Sequence, residues 1–185
     1  MQVYFPSFDA IEQHTHQLQD QPCCHCGQTR QLISHGRVYK KRPGAAPEPV
    51  GKRLFCSNRN RHTGCGRTMR LYLDATVRCL HYAGLQMVAF VLGLLTPLTV
   101  QVAYFRATGT AEPRHAYRWL AKLEARMGDY RSLCHTVPLP ASPSPSVRQP
   151  SLRRRLLTST LGQLLVRFGQ PLCASFQQQL QRSFL

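Results

Sequence analysis

Four cysteines arranged as two pairs constrain this chain more than any other feature of its sequence. Cys23 and Cys26 are separated by two residues, Cys56 and Cys65 lie further along the chain, and a glycine directly follows each pair. Structural zinc is held in a tetrahedron of four thiolate or imidazole groups, usually supplied as two close pairs from two turns. The spacing therefore predicts a zinc ribbon in which Cys23, Cys26, Cys56 and Cys65 bind one Zn²⁺.

The second pair departs from the usual spacing, because eight residues lie between Cys56 and Cys65. A loop of that length can still bring its ends together at modest entropic cost. The spacing directs Cys24 away from the metal, and the same holds for His25. Two alternatives stay open: His62 replaces one cysteine as the fourth ligand, or the cysteines are unmetallated thiols packed as small hydrophobic groups.

The order of the motifs predicts an α+β fold in which a small zinc ribbon of short β-strands precedes a helical helix-turn-helix domain. A module of this size, rich in glycine, proline and arginine, has too little apolar surface to hold its shape without a metal. The expected segments are a lead-in with one short helix over 1–21, the ribbon over 22–73, the helical domain over 74–137, a Pro/Ser-rich linker over 138–150, and a disordered or partly helical basic tail over 151–185, kept apart from the folded core.

The charge balance indicates an anionic partner. Lysine and arginine number 24 against 8 acidic residues, which gives a formal net charge of +16. Nucleic acid is the first candidate for such a charge and an anionic membrane surface the second. The first residues contain no basic region followed by an apolar run, so we expect a reducing cytoplasm, where clustered cysteines more often bind metal than form disulfides.

Turn and capping residues divide the helical domain into three helices. We expect a first helix from about residue 74 to Leu95, and a second that begins at Pro97 with Thr96 as its N-cap. Gly109 then marks a turn, and Thr110 is expected to cap a third helix over about 112–127. A helix, a short helix, a glycine turn and another helix are the pattern of a helix-turn-helix.

Basic residues recur at every fourth position of the expected third helix, at Arg114, Arg118, Lys122 and Arg126. This spacing places them on one side, where they could contact the major groove and the phosphates of duplex DNA. The alternative is the solvated face of an ordinary amphipathic helix, but such a face usually alternates charges of both signs. Arg59 and Arg61, between the second pair of cysteines, form a second candidate DNA-binding set.

Residues 80–105 contain no Lys, Arg, Asp or Glu and are long enough to span a bilayer. Polar residues and a proline would then lie inside the hydrocarbon, and both flanks are basic, which leaves the orientation undefined. A membrane partner is therefore less favoured than DNA.

The order "CCHCG", "KRLFCSNRNRHTGCGRT" and "EPRHAYRWLAKLEARM" resembles bacterial insertion-sequence transposases and their small accessory proteins over roughly Pro22 to Met127. That resemblance implies a four-cysteine zinc ribbon, with Cys23, Cys26, Cys56 and Cys65 as ligands. It also implies a helix-turn-helix that binds the ends of a mobile element through Arg114, Arg118 and Lys122. A transposase catalytic subunit becomes a second candidate partner.

The acidic residues disfavour catalysis by the chain itself. None of the eight lies after Asp129, whereas a transposase of this kind would continue into a domain with three metal-binding carboxylates. We therefore expect a non-catalytic, sequence-specific DNA-binding protein of the cytoplasm, associated with the nucleoid and linked to transposition or its regulation. The alternatives are a small basic membrane protein anchored by residues 80–105 and a zinc-ribbon adaptor that binds RNA or protein.

Overall fold

The computed structural model describes residues 2–41, 44–77, 82–134 and 151–185. The chain divides into two compact units: unit 1 contains residues 1–81 and 176–182, and unit 2 contains residues 82–175 and 183–185. Within the described residues the fold has four strands and seven helices, so the predicted α+β class is confirmed.

Unit 1 contains a four-stranded sheet of order β1-β4-β3-β2. Its elements are β1 (Gln2–Phe5), α1 (Phe8–His16), β2 (Leu32–Lys40), β3 (Glu48–Cys56) and β4 (Thr68–Leu73). Strand β1 pairs in parallel with β4, and the other pairs are antiparallel. The short helix expected in the first segment is α1, but the segment is not merely a lead-in, because β1 is part of the sheet.

One face of this sheet is packed against helix α1. Ile11 of α1 is fully buried, as are Leu54 of β3 and Leu71 of β4, and the three belong to one apolar cluster. Lys52 Nζ forms an ion pair and a hydrogen bond with Glu12 Oε2 on the same side. Since side chains alternate across a strand, the neighbours of these strand residues point to the opposite face.

Residues near the carboxyl end of the chain complete unit 1. Tyr4 N–H donates to Gln181 Oε1 at 2.7 Å, and Gln181 Nε2 donates to Tyr4 C=O at 3.3 Å. Strand β1 lies at the edge of the sheet, where backbone groups lack a strand partner. The amide of Gln181 therefore satisfies one donor and one acceptor that the sheet leaves unpaired.

Unit 2 is helical in its described residues. Its helices are α2 (Gly84–Leu95), α3 (Val100–Thr108), α4 (Pro113–Ala125), α5 (Met127–Ser132) and α6 (Leu152–Phe168), and α7 (Leu172–Leu180) begins in this unit. Trp119 of α4 makes edge-to-face ring contacts with Phe90 of α2 and Tyr104 of α3, with centroids 5.4 and 5.0 Å apart. These rings form the centre of the three-helix arrangement.

Some predicted helix boundaries are correct and others are wrong. Helix α2 ends at Leu95 as expected, but residues 74–77 are not helical, and residues 78–81 lie outside the described part. Helix α3 begins after Thr99, whose hydroxyl accepts from Val102 N–H at 3.3 Å, so the Thr96 cap is wrong. Gly109 ends α3 with a left-handed φ of 72°, as predicted.

The start and end of the expected third helix also differ from the prediction. Helix α4 has Glu112 as its N-cap and Pro113 at its first position, so the Thr110 cap is wrong. Proline suits that position because its missing N–H would have no partner within the helix. The expected end near Met127 corresponds to a break at Arg126, after which the short helix α5 begins.

The basic tail is helical and packs into the folded protein, so the expectation of an arm kept apart from the core is wrong. Leu157, Leu161 and Leu164 of α6 are completely buried, and Tyr130 Oη donates to Phe184 C=O at 2.6 Å within unit 2. The leucines recur at helical spacing, and burying them stabilises α6 enough to outweigh the self-repulsion of its arginines. The predicted linker over 138–150 lies outside the described residues.

The region that the membrane alternative requires is divided between two helices. Helix α2 ends at Leu95 and α3 begins at Val100, inside the stretch 80–105. No helix in the described part of the chain combines the length and apolar character needed to cross a bilayer.

Candidate metal centre and basic helix

The structure brings the four predicted cysteines of unit 1 together. The Sγ atoms of Cys23, Cys26, Cys56 and Cys65 all lie within 4.8 Å of one another. Cys23 Sγ is 3.8 Å from Cys65 Sγ, and Cys26 Sγ is 3.8 Å from Cys56 Sγ. Both distances greatly exceed a disulfide bond of about 2.05 Å. The four thiols form a cluster that could hold a metal ion.

The two cysteine pairs belong to turns with the same hydrogen bonds. In the first turn, Gly27 N–H donates to Cys23 C=O at 2.8 Å, and Cys23 N–H donates to Gln28 C=O at 2.9 Å. The second turn repeats both bonds at 2.9 Å, from Gly66 N–H to Cys56 C=O and from Cys56 N–H to Arg67 C=O.

The two glycines share a backbone conformation that few other residues adopt. Gly27 and Gly66 have φ values of 74° and 70°, in the left-handed region that favours glycine. The widened second pair therefore forms a turn equivalent to the compact first one.

The extra residues between Cys56 and Cys65 form a closed loop outside the second turn. Gly64 N–H donates to Ser57 C=O at 2.7 Å, so the two ends of the insertion meet. A Cβ atom on Gly64 would lie 2.4 Å from Ser57 O and 2.5 Å from Cys56 Sγ. Glycine is required here because the backbone at this position passes too close to the Cys56 sulfur to leave room for a Cβ atom.

The alternative ligands lie outside the cluster. The thiol of Cys24 is 3.7 Å from Met69 Sδ, consistent with the prediction that its side chain points away from the site. His62 Nδ1 lies 3.1 Å from Gln31 Oε1, which also accepts from Thr63 N–H at 3.0 Å. In this arrangement His62 helps to hold the inserted loop, and it is not one of the clustered groups.

Burial and backbone donors act in opposite directions on the thiols. Burial disfavours the thiolate of Cys23, but hydrogen bonds from the backbone N–H groups of His25 and Cys26 and from the thiols of Cys56 and Cys26 together outweigh it and lower the pKa of Cys23 to about 7. Burial raises the pKa of Cys56 to about 12, although Cys65 N–H donates to its sulfur at 3.3 Å. A bound cation would supply the positive charge that the Cys56 thiolate otherwise lacks.

Helix α4 of unit 2 has one buried face and one exposed basic face. Ala116 and Leu123 are fully buried and Trp119 is 4% exposed, whereas Arg114, Arg118 and Lys122 are all exposed. None of these three cations forms an ion pair with another described residue. They lie one helical turn apart and could reach successive groups of an extended anion.

The other predicted DNA-binding residues are placed differently. Arg126 caps the end of α4, and its Nη1 pairs with Asp129 Oδ2 at 3.1 Å, so it does not continue the unpaired series. Arg59 and Arg61 are exposed in the inserted loop of unit 1. The residues of the predicted basic surface thus comprise three residues of α4 and a pair in the inserted loop of unit 1.

Sequence reasoning missed one arginine beside α4. The Nε atom of Arg153, in α6, is 3.7 Å from Oε2 of Glu124, in α4, and the arginine side chain is largely exposed. The run Arg153–Arg155 is visible in the sequence, but nothing in its spacing places it next to α4, because the two helices are far apart along the chain.

Comparisons with protein-family models, curated proteins and solved structures returned no match to this chain.

Proposed function

We propose that the chain is a non-catalytic DNA-binding protein in which α4 contacts duplex DNA and the four cysteines hold one Zn²⁺. The observation that carries the proposal is the row of three exposed cations on α4 that form no ion pair with another described residue, opposite the buried face of Ala116, Trp119 and Leu123. Such a row could neutralise phosphates or read base edges, since arginine donates two hydrogen bonds to guanine in the major groove.

The arrangement of α3 and α4 favours a helix-turn-helix role. Gly109 follows the last residue of α3 in the left-handed conformation, and α4 begins at Pro113 after a connection of four residues, 109–112. The buried side of α4 contacts α2 and α3 through Trp119, so the helix is held rigidly with its cations outward. Rigid presentation lowers the entropic cost of binding.

Zinc fits the cluster by its chemistry and its dimensions. Zinc–sulfur distances of about 2.3 Å give a tetrahedron with S–S edges of roughly 3.8 Å. Two of the observed Sγ–Sγ distances are 3.8 Å. Four thiols with two backbone N–H donors are a donor set typical of closed structural sites, where the metal stabilises a small fold.

A role in transposition or its regulation is supported by the resemblance of the cysteine and helix motifs to insertion-sequence proteins. A transposase catalytic subunit is then the natural protein partner, and association with the nucleoid follows from DNA binding.

Duplexes selected from a random pool by the parent protein provide the test. Arg114→Ala, Arg118→Ala and Lys122→Ala should weaken binding to the selected duplex, by about 1–3 kcal/mol where a base contact is lost. Loss of a phosphate contact should weaken all duplexes alike and reduce the salt dependence by about 0.9 per contact. Arg131→Ala, in the exposed last turn of α5, is the matched control and should bind as the parent does.

Parental binding by all three α4 variants would overturn the assignment to α4. Arg59→Ala and Arg61→Ala would then test the inserted loop of unit 1 as the contact region. Competition with structured RNA tests the adaptor alternative: RNA that displaces the protein more readily than duplex DNA would contradict the DNA proposal.

A further inference from the structure

The face of the unit 1 sheet opposite α1 carries two arginines directly across from each other. Arg53 of β3 and Arg70 of β4 are Cα partners in the antiparallel register. Their sequence neighbours Leu54 and Leu71 belong to the cluster that packs on α1, so alternation places both arginines on the other face.

Aromatic and apolar side chains continue this face next to the arginine pair. Phe55 is the Cα partner of Thr68 on one side and of Ile33 of β2 on the other. Phe55 lies two residues along β3 from Arg53 and therefore shares its face. The rings of His35 and Phe55 are 5.7 Å apart at an interplanar angle of 39°. We call Ile33, His35, Arg53, Phe55 and Arg70 the arginine–aromatic face.

The arginine pair has no counter-charge among the described residues. Neither Arg53 nor Arg70 forms an ion pair there, and Arg53 Nε is shielded from solvent without a hydrogen-bond partner. Like charges directly opposite each other destabilise a sheet, and a shielded donor without an acceptor adds a further cost. An anion between the two guanidinium groups would relieve both costs.

The aromatic part of the face is accessible to a ligand. His35 is exposed, Phe55 and both arginines are partly exposed, and Ile33 is 39% exposed. Aromatic rings beside cationic groups are the combination that binds single strands, whose unpaired bases stack on rings while phosphates contact the cations. A duplex cannot use such rings, because its bases are already stacked on one another.

We infer that the arginine–aromatic face binds single-stranded nucleic acid, with Arg53 and Arg70 holding a phosphate and Phe55 and His35 contacting a neighbouring base. This surface differs from the duplex contacts proposed for α4, and the inference does not depend on them. A protein with both surfaces could hold a single-stranded segment and a duplex segment of nucleic acid.

Fluorescence anisotropy with a labelled mixed-sequence single-stranded oligonucleotide and the full-length, metal-loaded protein tests the inference. Arg53→Gln and Arg70→Gln should each weaken binding about fivefold or more and reduce the salt dependence by about 0.7. Phe55→Leu should weaken binding about fivefold while leaving the salt dependence unchanged. Arg30→Gln, an exposed arginine before β2, removes the same charge elsewhere in unit 1 and should change affinity less than about twofold.

An abasic oligonucleotide separates recognition of nucleic acid from recognition of phosphate alone. The parent protein should bind it more weakly than the normal strand, and Phe55→Leu should not weaken it further. Equal affinity of the parent for both strands would mean that the arginines bind only a phosphate, and would overturn the single-strand assignment.

Crosslinking in the unaltered protein keeps the inference testable if a variant loses its fold, which metal content and circular dichroism would reveal. A photoreactive 4-thiothymidine strand should crosslink to β2, β3 or β4. Crosslinks confined to α4, or an equal loss of binding in Arg30→Gln, would overturn the inference. Single-strand binding that survives the Arg114, Arg118 and Lys122 substitutions would show that the two surfaces act independently.

Discussion

Shortening Leu161 to alanine should destabilise unit 2 strongly, although Leu161 lies in the basic tail. Its side chain is fully buried in α6. Removing a buried leucine side chain costs about 2–5 kcal/mol, from lost burial and from the cavity that remains. For a domain of 60–100 residues, each kcal/mol lowers the melting temperature by about 4–8 °C. The melting temperature of unit 2 should therefore fall by about 8 °C or more.

The single tryptophan of the chain provides an assay specific to this unit. Trp119 is 4% exposed among the rings of α2 and α3, so its fluorescence should shift when unit 2 unfolds. Val166→Ala is the matched control, since Val166 lies on the same helix and is 90% exposed. It should melt as the parent does or slightly higher, because alanine favours a helix. A Leu161→Ala protein with parental melting, or an equal loss in the control, would refute the packing of α6.

Three further predictions concern the metal, the α2–α3 contact and acid stability. Cys56→Ser should lose the bound metal and the fold of unit 1, whereas Cys24→Ser should keep both, as measured by metal content and circular dichroism. Gly93→Ala should lower the free energy of unfolding by about 1–3 kcal/mol, because the added Cβ atom would lie 2.7 Å from a Cβ atom of α3. Gly162→Ala should not destabilise the protein, because its added Cβ atom would lie 3.8 Å from the nearest atom. Thermal melts would compare the two variants. The hydrogen bond from the neighbouring lysine ammonium holds the pKa of Glu12 below its ordinary value of 4.5. The ionised carboxylate of Glu12 stabilises the fold at pH values above 4.5 and loses this contribution as the pH falls through its folded-state pKa. In urea titrations, the parent should therefore lose its stability advantage over Glu12→Gln on acidification.

The cysteine cluster was predictable because its information is local. One close pair and one widened pair, with a glycine after each, limit the turns that can form, and the four thiols meet as predicted. The equivalence of the widened turn was not predictable, since it depends on the contact between Ser57 and Gly64 that closes the inserted loop. The glycine spacing alone did not reveal that contact.

Helix ends were predicted well where one residue determines them and poorly where several compete. Gly109 ends α3 as expected, whereas Thr96, the expected cap of the second helix, is the C-cap of α2, and Thr99 caps α3. The role of the tail was misjudged for a related reason. Its arginines indicated a solvated arm, but the buried side of α6 contains leucines whose burial outweighs the charge.

The bonds between Tyr4 and Gln181 have a consequence for synthesis of the protein on the ribosome. Unit 1 draws on residues 176–182, and about 100 residues of unit 2 must be translated before they emerge, which takes on the order of 5–20 s at about 5–20 residues per second. During that interval the nascent amino-terminal sheet has an open edge at β1, where another nascent chain could add a strand. Early binding of metal to the cysteine cluster would hold the emerging unit together until its last segment arrives.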